Sequence, residues 1–224
     1  LGIAVIVWLI VITNAVNFMD GANGLALGSI AIMHVALFPL FAVLMLCFGS
    51  CVPDPIGEFA MIAQFAMFGA VLGFLVWNLR GGLYAGDCGS LGAGGLFGLM
   101  AVYHLGDGMD GVRAALLALT LALPFLIDVL LTLAWRTFKG RNLLQAHTDH
   151  AYQRLIARGW GHLSVATFWW SMTLICAVMG VVTMFGAAES TDQADDFPVL
   201  QLTALVALAA IGSVFWWLER SRTQ

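Results

Sequence analysis

Long apolar runs alternate with short polar breaks along the whole chain. Most of the runs approach the roughly 20 residues that an α-helix needs to cross a hydrocarbon core about 30 Å thick. The pattern predicts an all-α fold, a polytopic transmembrane helix bundle with about six full transmembrane helices and one partial N-terminal helix. The first run is partial because it would span only about 20 Å as a helix. The predicted segments are 1–13, 24–47, 58–79, 89–105, 113–135, 162–184 and 198–217.

Composition indicates that the solvent of this chain is lipid. Hydrophobic residues make up 61% of the 224 positions and charged residues only 10%, whereas about one-quarter of a soluble domain is charged. So short a chain cannot bury that much apolar surface in one core, but a bilayer can solvate it. The nine Lys and Arg are too sparse for a phosphate-binding stripe, which excludes nucleic acid as a partner. We expect one integral-membrane domain over residues 1–224.

Lys and Arg are distributed unequally between the two sides of the predicted bundle. One side has only Arg113, together with most of the acidic residues. The other side holds Arg80, Arg136, Lys139, Arg141, Arg154, Arg158, Arg220 and Arg222. Because cytoplasmic loops of membrane proteins are rich in Lys and Arg, this basic side is predicted to be cytoplasmic. Nearly all the candidate functional residues fall in its connections, which are 14–23, 80–90, 136–161 and the tail after 218.

The first of these connections combines amides, a carboxylate and glycines. Asn14, Asn17 and Gly21 follow helical spacing, and Asp20 lies one turn after Asn17. Glycines allow a ligand to approach the backbone closely, and the free N–H groups of the next helix suit an anion. The string, which also contains Asn23, therefore suits a polar ligand. A capped interhelical turn is an equally good interpretation, because Asn, Asp and Gly are ordinary turn residues.

The second connection leads into a glycine-rich helix with Asp87 at its mouth. A carboxylate there can hold Mg²⁺, which prefers one or two protein carboxylates together with phosphate oxygens and water. The alternative is that Asp87 is an N-cap and that the glycines of 86–95 form a close helix-packing face.

The third connection contains His147 and His150, which would share a helix face. Together with Arg154 they can bind phosphate, whereas zinc would need a third ligand that this spacing does not supply. The alternative is a basic interfacial helix on anionic lipid headgroups, and 136–161 is the place where a short amphipathic helix is expected.

Asp128 is an acid inside an apolar run, where a charge costs roughly 2.5–3.5 kcal/mol on insertion scales. It follows Pro124 by one turn, so a kink that opens a polar cavity is one interpretation. A structural hydrogen-bond partner on a neighbouring helix is the other. Such an acid, together with Pro-containing helices, also motivates a membrane transporter as an alternative function.

Taken together and in order, NAVNFMDGANGLA, Asn78 with GDCGSLGAGG, and HTDHAYQRL resemble the polyprenyl-phosphate N-acetylhexosamine-1-phosphate transferases of glycosyltransferase family 4. The resemblance implies a multispanning enzyme of the bacterial inner membrane with its active site facing the cytoplasm. It implies transfer of N-acetylhexosamine-1-phosphate, or a related sugar-1-phosphate, from a UDP-sugar, with a UDP-N-acetylhexosamine as the expected partner, to undecaprenyl phosphate with release of UMP. The implied cofactor is Mg²⁺, with Mn²⁺ as an alternative. Whether the protein forms a homodimer is left open.

The same resemblance assigns roles to individual positions. Asp20, Asp87, His147 and His150 are the expected catalytic residues, and Asp87 is the expected metal ligand. With the interpretations above, the expected substrate-binding residues are Asn14, Asn17, Gly21, Asn23, Asn78 and Arg154.

The chain departs from the family pattern in several places. Asn23 stands where the DGxDG pattern has a second aspartate, and 80–84 replaces a Pro-Ala-Lys-like stretch. The family's early paired-aspartate loop is absent, so we expect it upstream of an N-terminal truncation. A catalytically incomplete fragment is therefore a further alternative. The string HTDHAYQRL is closer to enzymes that initiate O-antigen and capsule synthesis than to the phospho-MurNAc-pentapeptide transferase, which has three adjacent histidines.

Overall fold

The computed structural model describes residues 2–47, 55–106, 111–143, 145–186 and 198–222, and within these ranges every regular element is an α-helix. The helices are α1 (Gly2–Phe18), α2 (Leu25–Cys47), α3 (Pro55–Leu79), α4 (Gly86–Gly106), α5 (Gly111–Phe138), α6 (Ala151–Ala157), α7 (His162–Gly186) and α8 (Val199–Ser221). The predicted all-α helix bundle is confirmed. The short helix expected within 136–161 is α6.

Four helices of the described part are long and apolar enough to cross a membrane, namely α3, α5, α7 and α8. The stretches 2–18 and 25–37 are apolar but shorter. Of the about six full transmembrane helices that the sequence predicts, four meet this test of length and apolar composition. The helix α4 has 21 residues but is rich in glycine, and the side chains of α2 after Leu37 lie outside the described ones.

The helix α5 forms the centre of the bundle and contacts α1, α2, α4, α7 and α8. Its inward positions include the fully buried side chains of Leu117, Leu121 and Phe125. Around it, α1 packs mainly on α4, and α2 packs between α7 and α3. This arrangement brings the last turns of α1, α3, α5 and α8 to the same end as the first turns of α2, α4 and α7.

Two helix boundaries differ from the prediction in a way that affects the site. The helix α1 continues to Phe18 instead of ending at residue 13. The helix persists because Ala15 and Val16 are fully buried and the Asn14 amide bonds back to the carbonyl of Ile10 within its own helix at 2.8 Å. The helix α4 begins at Gly86 rather than residue 89, which places Asp87 in its first turn.

Two glycines of α4, Gly94 and Gly98, pack closely against α1, so the packing face predicted for the glycines of 86–95 is confirmed at Gly94 but not at Gly86 or Gly92. A Cβ on Gly94 would lie 3.1 Å from the Cα of Thr13, and one on Gly98 would lie 2.8 Å from Ile12. The indole of Trp8 donates a hydrogen bond to the carbonyl of Gly98 at 3.1 Å. Small residues at such positions let helix backbones approach closely in a membrane.

Substitution of Gly94 by Ala is expected to destabilise the bundle by about 1–3 kcal/mol, because the new methyl group overpacks the contact with α1. Gly92 is the matched control, since a Cβ there meets nothing within 4 Å and alanine has the higher helix propensity. Unfolding of both variants in detergent micelles measures the difference. Equal stability of Gly94→Ala and Gly92→Ala would show that the α1–α4 contact is not tight.

Candidate active site

The predicted site residues lie at one end of the bundle. Side-chain hydrogen bonds at this end connect α1 with α4, the turn before α2 with α7, α6 with α1, and α6 with α8. The short helix α6 and the segment 145–150 lie at the same end. Segments far apart in sequence therefore meet here, as the three motifs required.

Two carboxylates lie at this end, Asp20 in the turn after α1 and Asp87 in the first turn of α4. The amide of Asn17 donates to Asp87 Oδ1 at 3.0 Å and to Ser90 Oγ at 2.9 Å. The Ser90 hydroxyl donates in turn to the carbonyl of Gly86 at 2.9 Å. Burial, and then the charge of Asp87, raises the pKa of Asp20 from 3.8 to about 6. Asp20 and Asp87 are thus close enough to repel each other, and a cation between them would relieve the repulsion.

A polar cavity of about 200 Å³ opens beside Asp20. Asn78 shapes it, because its Oδ1 accepts the backbone N–H of Gly24 at 2.6 Å and its Nδ2 donates to the carbonyl of Leu83 at 2.8 Å. Asn78 thereby ties the turn after α1 to the segment before α4. The cavity is lined by Asp20, Gly21, Ala22, Asn23, Asn78, Tyr84, Ala85 and His162.

Two side chains of this cavity with hydrogen-bonding or stacking capacity, those of His162 and Tyr84, were not predicted from the sequence. His162 accepts the backbone N–H of Asn23 through its Nδ1 at 3.1 Å, so the neutral ring carries its proton on Nε2. Tyr84 is 74% exposed at the rim. Neither belongs to a recognisable motif, because His162 only begins an apolar run and Tyr84 ends the atypical stretch 80–84.

The two histidines of the late motif are brought together, but not on a helix. The segment before Ala151 is irregular, and the rings of His147 and His150 lie 5.0 Å apart. The ring of His150 is buried 6.0 Å from that of Phe18, whereas the side chain of His147 is 11% exposed. Burial, and then the charges of His150 and Arg136, lowers the pKa of His147. His147 is therefore the more accessible of the pair, and its lowered pKa favours the neutral ring at pH 7.

Asp149, between the two histidines, is held by arginines from two helices. It pairs with Arg136, with Arg141 at 3.4 Å and with Arg220 at 3.9 Å. Burial alone would raise the pKa of Asp149, but the hydrogen bond and charge of Arg136 and the charge of Arg141 outweigh it and lower the pKa. The segment 145–150 is thus fixed electrostatically to α5 and α8.

Arg154 and Asn14, which are expected to bind substrate, form their hydrogen bonds away from the polar cavity. Arg154 donates to the carbonyls of Glu219 and Arg220 at the end of α8, each at 3.1 Å. Asn14 is exposed and bonds to its own helix. Neither lines the polar cavity, and their roles in substrate binding stay predictions. Gly21, in contrast, lines the cavity and has no room for a Cβ, which would lie 2.1 Å from the Tyr152 hydroxyl.

The acid inside α5 has a partner on a neighbouring helix. Asp128 is 2% exposed, and its oxygens accept hydrogen bonds from the backbone N–H groups of α6. The structural interpretation is therefore confirmed. A transporter is not needed to account for this residue.

Comparison with known proteins identifies the family of the chain. Residues 1–105, which include both carboxylates, match the family described as Glycosyl transferase family 4. The chain is also 32% identical over 186 residues to a phospho-N-acetylmuramoyl-pentapeptide-transferase of Micrococcus luteus, covering 78% of this chain and 47% of that protein. The chain belongs to glycosyl transferase family 4.

The resemblance stated from the motifs is thereby confirmed at the level of the family. A phospho-N-acetylmuramoyl-pentapeptide-transferase of Staphylococcus aureus (strain JH9) is 29% identical over 183 residues, covering 80% of this chain and 50% of that protein. The chain thus spans about half the length of the curated relatives it matches.

Asp20→Asn is expected to stabilise the protein in a pH-dependent way when divalent ions are removed with EDTA. The pKa of Asp20 is about 6 in the folded protein and about 3.9 in an unfolded chain. The folded state therefore binds this proton more tightly, and stability falls as the pH rises from about 4 to about 6. The Tm of Asp20→Asn minus that of the wild type should be smallest near pH 4, increase up to about pH 6 and then level off.

Asp149→Asn is the matched control with the opposite sign. The pKa of Asp149 is lowered by its arginines, so its ionised form stabilises the fold above the unfolded pKa, and this is lost as the pH falls through the folded pKa. Asp149→Asn should therefore be less stable than the wild type at neutral pH and approach it in acid. A flat difference curve for Asp20→Asn would contradict the close approach of the two carboxylates.

Proposed function

We propose that the chain forms part of a membrane phosphotransferase that moves N-acetylhexosamine-1-phosphate, or a related sugar-1-phosphate, from a UDP-sugar to undecaprenyl phosphate and releases UMP. The observation that supports it most strongly is the meeting of Asp20 and Asp87 beside a polar cavity. The product would initiate cell-envelope polysaccharide or O-antigen synthesis. The reaction brings two phosphates together, so their repulsion has to be reduced by a metal ion and cationic groups.

The residues at this end suit Mg²⁺ better than a metal held by protein ligands alone. No group of three His, Cys, Asp or Glu in the described ranges is arranged to hold a metal, which disfavours zinc. Two carboxylates with a raised pKa on one of them suit Mg²⁺, which completes its shell with phosphate oxygens and water. Asp87, held by Asn17, would bind the ion with Asp20 beside it, and Mn²⁺ would accept the same ligands. The ion would neutralise charge on the diphosphate.

The polar cavity is the proposed site for the UDP-sugar. The side chain of Asn23 and the Nε2 proton of His162 offer hydrogen bonds there, and the exposed ring of Tyr84 offers a face on which a base can stack. Asn78 keeps the two walls of the cavity together. Holding both substrates in line would supply much of the acceleration, up to roughly 7–11 kcal/mol.

A strong general base is less essential in this reaction. The second pKa of a phosphate monoester is about 6, so the acceptor is already mostly dianionic at neutral pH. Asp20 then either positions the acceptor phosphate or attacks the donor itself. His147 can donate a hydrogen bond to a phosphate oxygen while it stays neutral, since its pKa is lowered.

The basic end of the bundle is proposed to face the bacterial cytoplasm, where nucleotide sugars are made. Eight of the nine Lys and Arg are at this end, as the positive-inside rule requires of a cytoplasmic face. The protein is proposed to be either a monomer or a homodimer. The mass of the detergent-solubilised protein distinguishes the two.

The names of the relatives favour a second candidate for the nucleotide-sugar substrate. Both are called phospho-N-acetylmuramoyl-pentapeptide-transferase, which suggests UDP-MurNAc-pentapeptide. The spaced histidines of HTDHAYQRL favour the N-acetylhexosamine donors instead.

Assay of the protein expressed from its complete gene with each radiolabelled donor and undecaprenyl phosphate separates the two candidates. We expect lipid-linked product from UDP-GlcNAc or UDP-GalNAc and none from UDP-MurNAc-pentapeptide. The reverse pattern would replace the proposed donor. The 224-residue chain assayed alongside tests whether it is active alone, and inactivity of both proteins with every donor would contradict the transferase.

Asp87→Asn in the same protein is expected to lower Mg²⁺-dependent UMP release by at least about a hundredfold, because the ion would lose its charged ligand. Cys88→Ser is the control, since Cys88 is an exposed free thiol next in sequence and its replacement should leave the rate unchanged. Activity retained by Asp87→Asn would remove Asp87 from the proposed metal site.

A further inference from the structure

Asp128 acts as the cap of a helix to which it does not belong. Its Oδ1 accepts the backbone N–H of Ala151 at 2.8 Å, and its Oδ2 lies 3.4 Å from the backbone nitrogen of Tyr152. These are the first two residues of α6, where backbone N–H groups have no partner within the helix. The negative charge also interacts favourably with this end of the helix dipole. An acid of α5 thus fixes where α6 begins.

A threonine of α5 itself and a tryptophan of α8 hold the orientation of this carboxylate. The hydroxyl of Thr132, one turn later in α5, donates to Asp128 Oδ1 at 3.3 Å. The indole of Trp216 in α8 donates to the Thr132 hydroxyl at 3.1 Å. Asp128, Thr132 and Trp216 are all buried. The carboxylate is therefore a fixed point within the bundle.

Tyr152 connects this fixed point to the turn that carries Asp20. Its hydroxyl donates to the carbonyl of Phe18 at 3.0 Å and packs directly on Gly21, where a Cβ would be 2.1 Å away. Burial, and then the charges of Asp128 and Asp20, raises the pKa of Tyr152. Tyr152 thus lies between the two acids, and α6 sets the position of the turn.

His150 is placed by the same carboxylate. Its Nδ1 lies 3.6 Å from Asp128 Oδ1, and its ring stacks on that of Tyr152 with centroids 6.0 Å apart. The ring of His147 follows at 5.0 Å from His150. A shift of α6 would therefore move both histidines.

We propose that Asp128 is a positioning residue of the active site, which holds the first turn of α6 and so fixes the two histidines relative to the turn with Asp20. Asp128 does not line the polar cavity and acts only through Tyr152 and His150. The kinetic consequence rests on the proposed transferase function. The placement of α6 by Asp128 does not depend on that function.

Asp128→Asn in the protein expressed from its complete gene tests the kinetic consequence. An asparagine keeps one oxygen acceptor for α6 but loses the charge and the second acceptor. We expect kcat to fall by about 10- to 100-fold, with KM for the UDP-sugar unchanged within about a factor of two because the cavity is intact. Asp128→Glu, which keeps the carboxylate, should recover part of kcat.

Thr120→Val is the matched control. Thr120 is buried in the same helix and bonds only to the carbonyl of Leu116 at 2.7 Å among the described contacts, so its replacement should change neither constant. A purely structural role for Asp128 would lower Tm and active fraction while leaving kcat per folded molecule unchanged. Normal kcat per folded molecule in Asp128→Asn would therefore overturn the proposal.

Hydrogen–deuterium exchange of the substrate-free protein separates this proposal from the transferase function. Faster exchange in 151–157 and in 18–24 is expected in Asp128→Asn and not in Thr120→Val. Unchanged exchange in both segments would overturn the positioning role. Absence of UMP release by the wild type would overturn the transferase instead, and the exchange comparison would still decide on Asp128.

Discussion

The close packing of α1 on α4 is the constraint on which the site depends. Because Gly94 and Gly98 have no side chains, the backbones approach closely enough for the Asn17 amide to reach both Asp87 and Ser90. The same approach brings Asp87 near Asp20, whose pKa is raised by burial and then by the charge of Asp87. Apolar packing deep in the bundle thus sets the distance between two carboxylates at its end.

Negatively and positively charged side chains lie on different sides of the site. The carboxylates belong to the α1 and α4 side, whereas arginines of α5, α8 and the connecting segment surround Asp149 on the other. The histidines lie between them and are held by α6. Two phosphates that meet here would find a place for a cation on one side and cationic groups on the other, which is the division that phosphoryl transfer requires.

The helices and the motifs could be predicted from the sequence, since apolar runs need the bilayer and Asp20 and Asp87 stand in recognisable strings. Contacts between segments that are far apart in the sequence could not be predicted from it. The helix α1 extends past residue 13 because Ala15 and Val16 are buried against the core, and His147 and His150 meet without a helix because Asp149 is fixed by arginines. His162 reaches the cavity only through the packing of α7 on α2.

The central claim is our proposal that Asp87, with Asp20 beside it, binds one divalent cation where the transfer would take place. Titration of Mn²⁺ into the protein in lipid nanodiscs with UDP present, followed by electron paramagnetic resonance, measures this binding directly. The account predicts a single site in the wild type that is weakened in Asp20→Asn and lost in Asp87→Asn. Equal Mn²⁺ affinity in the wild type and in both variants would contradict it.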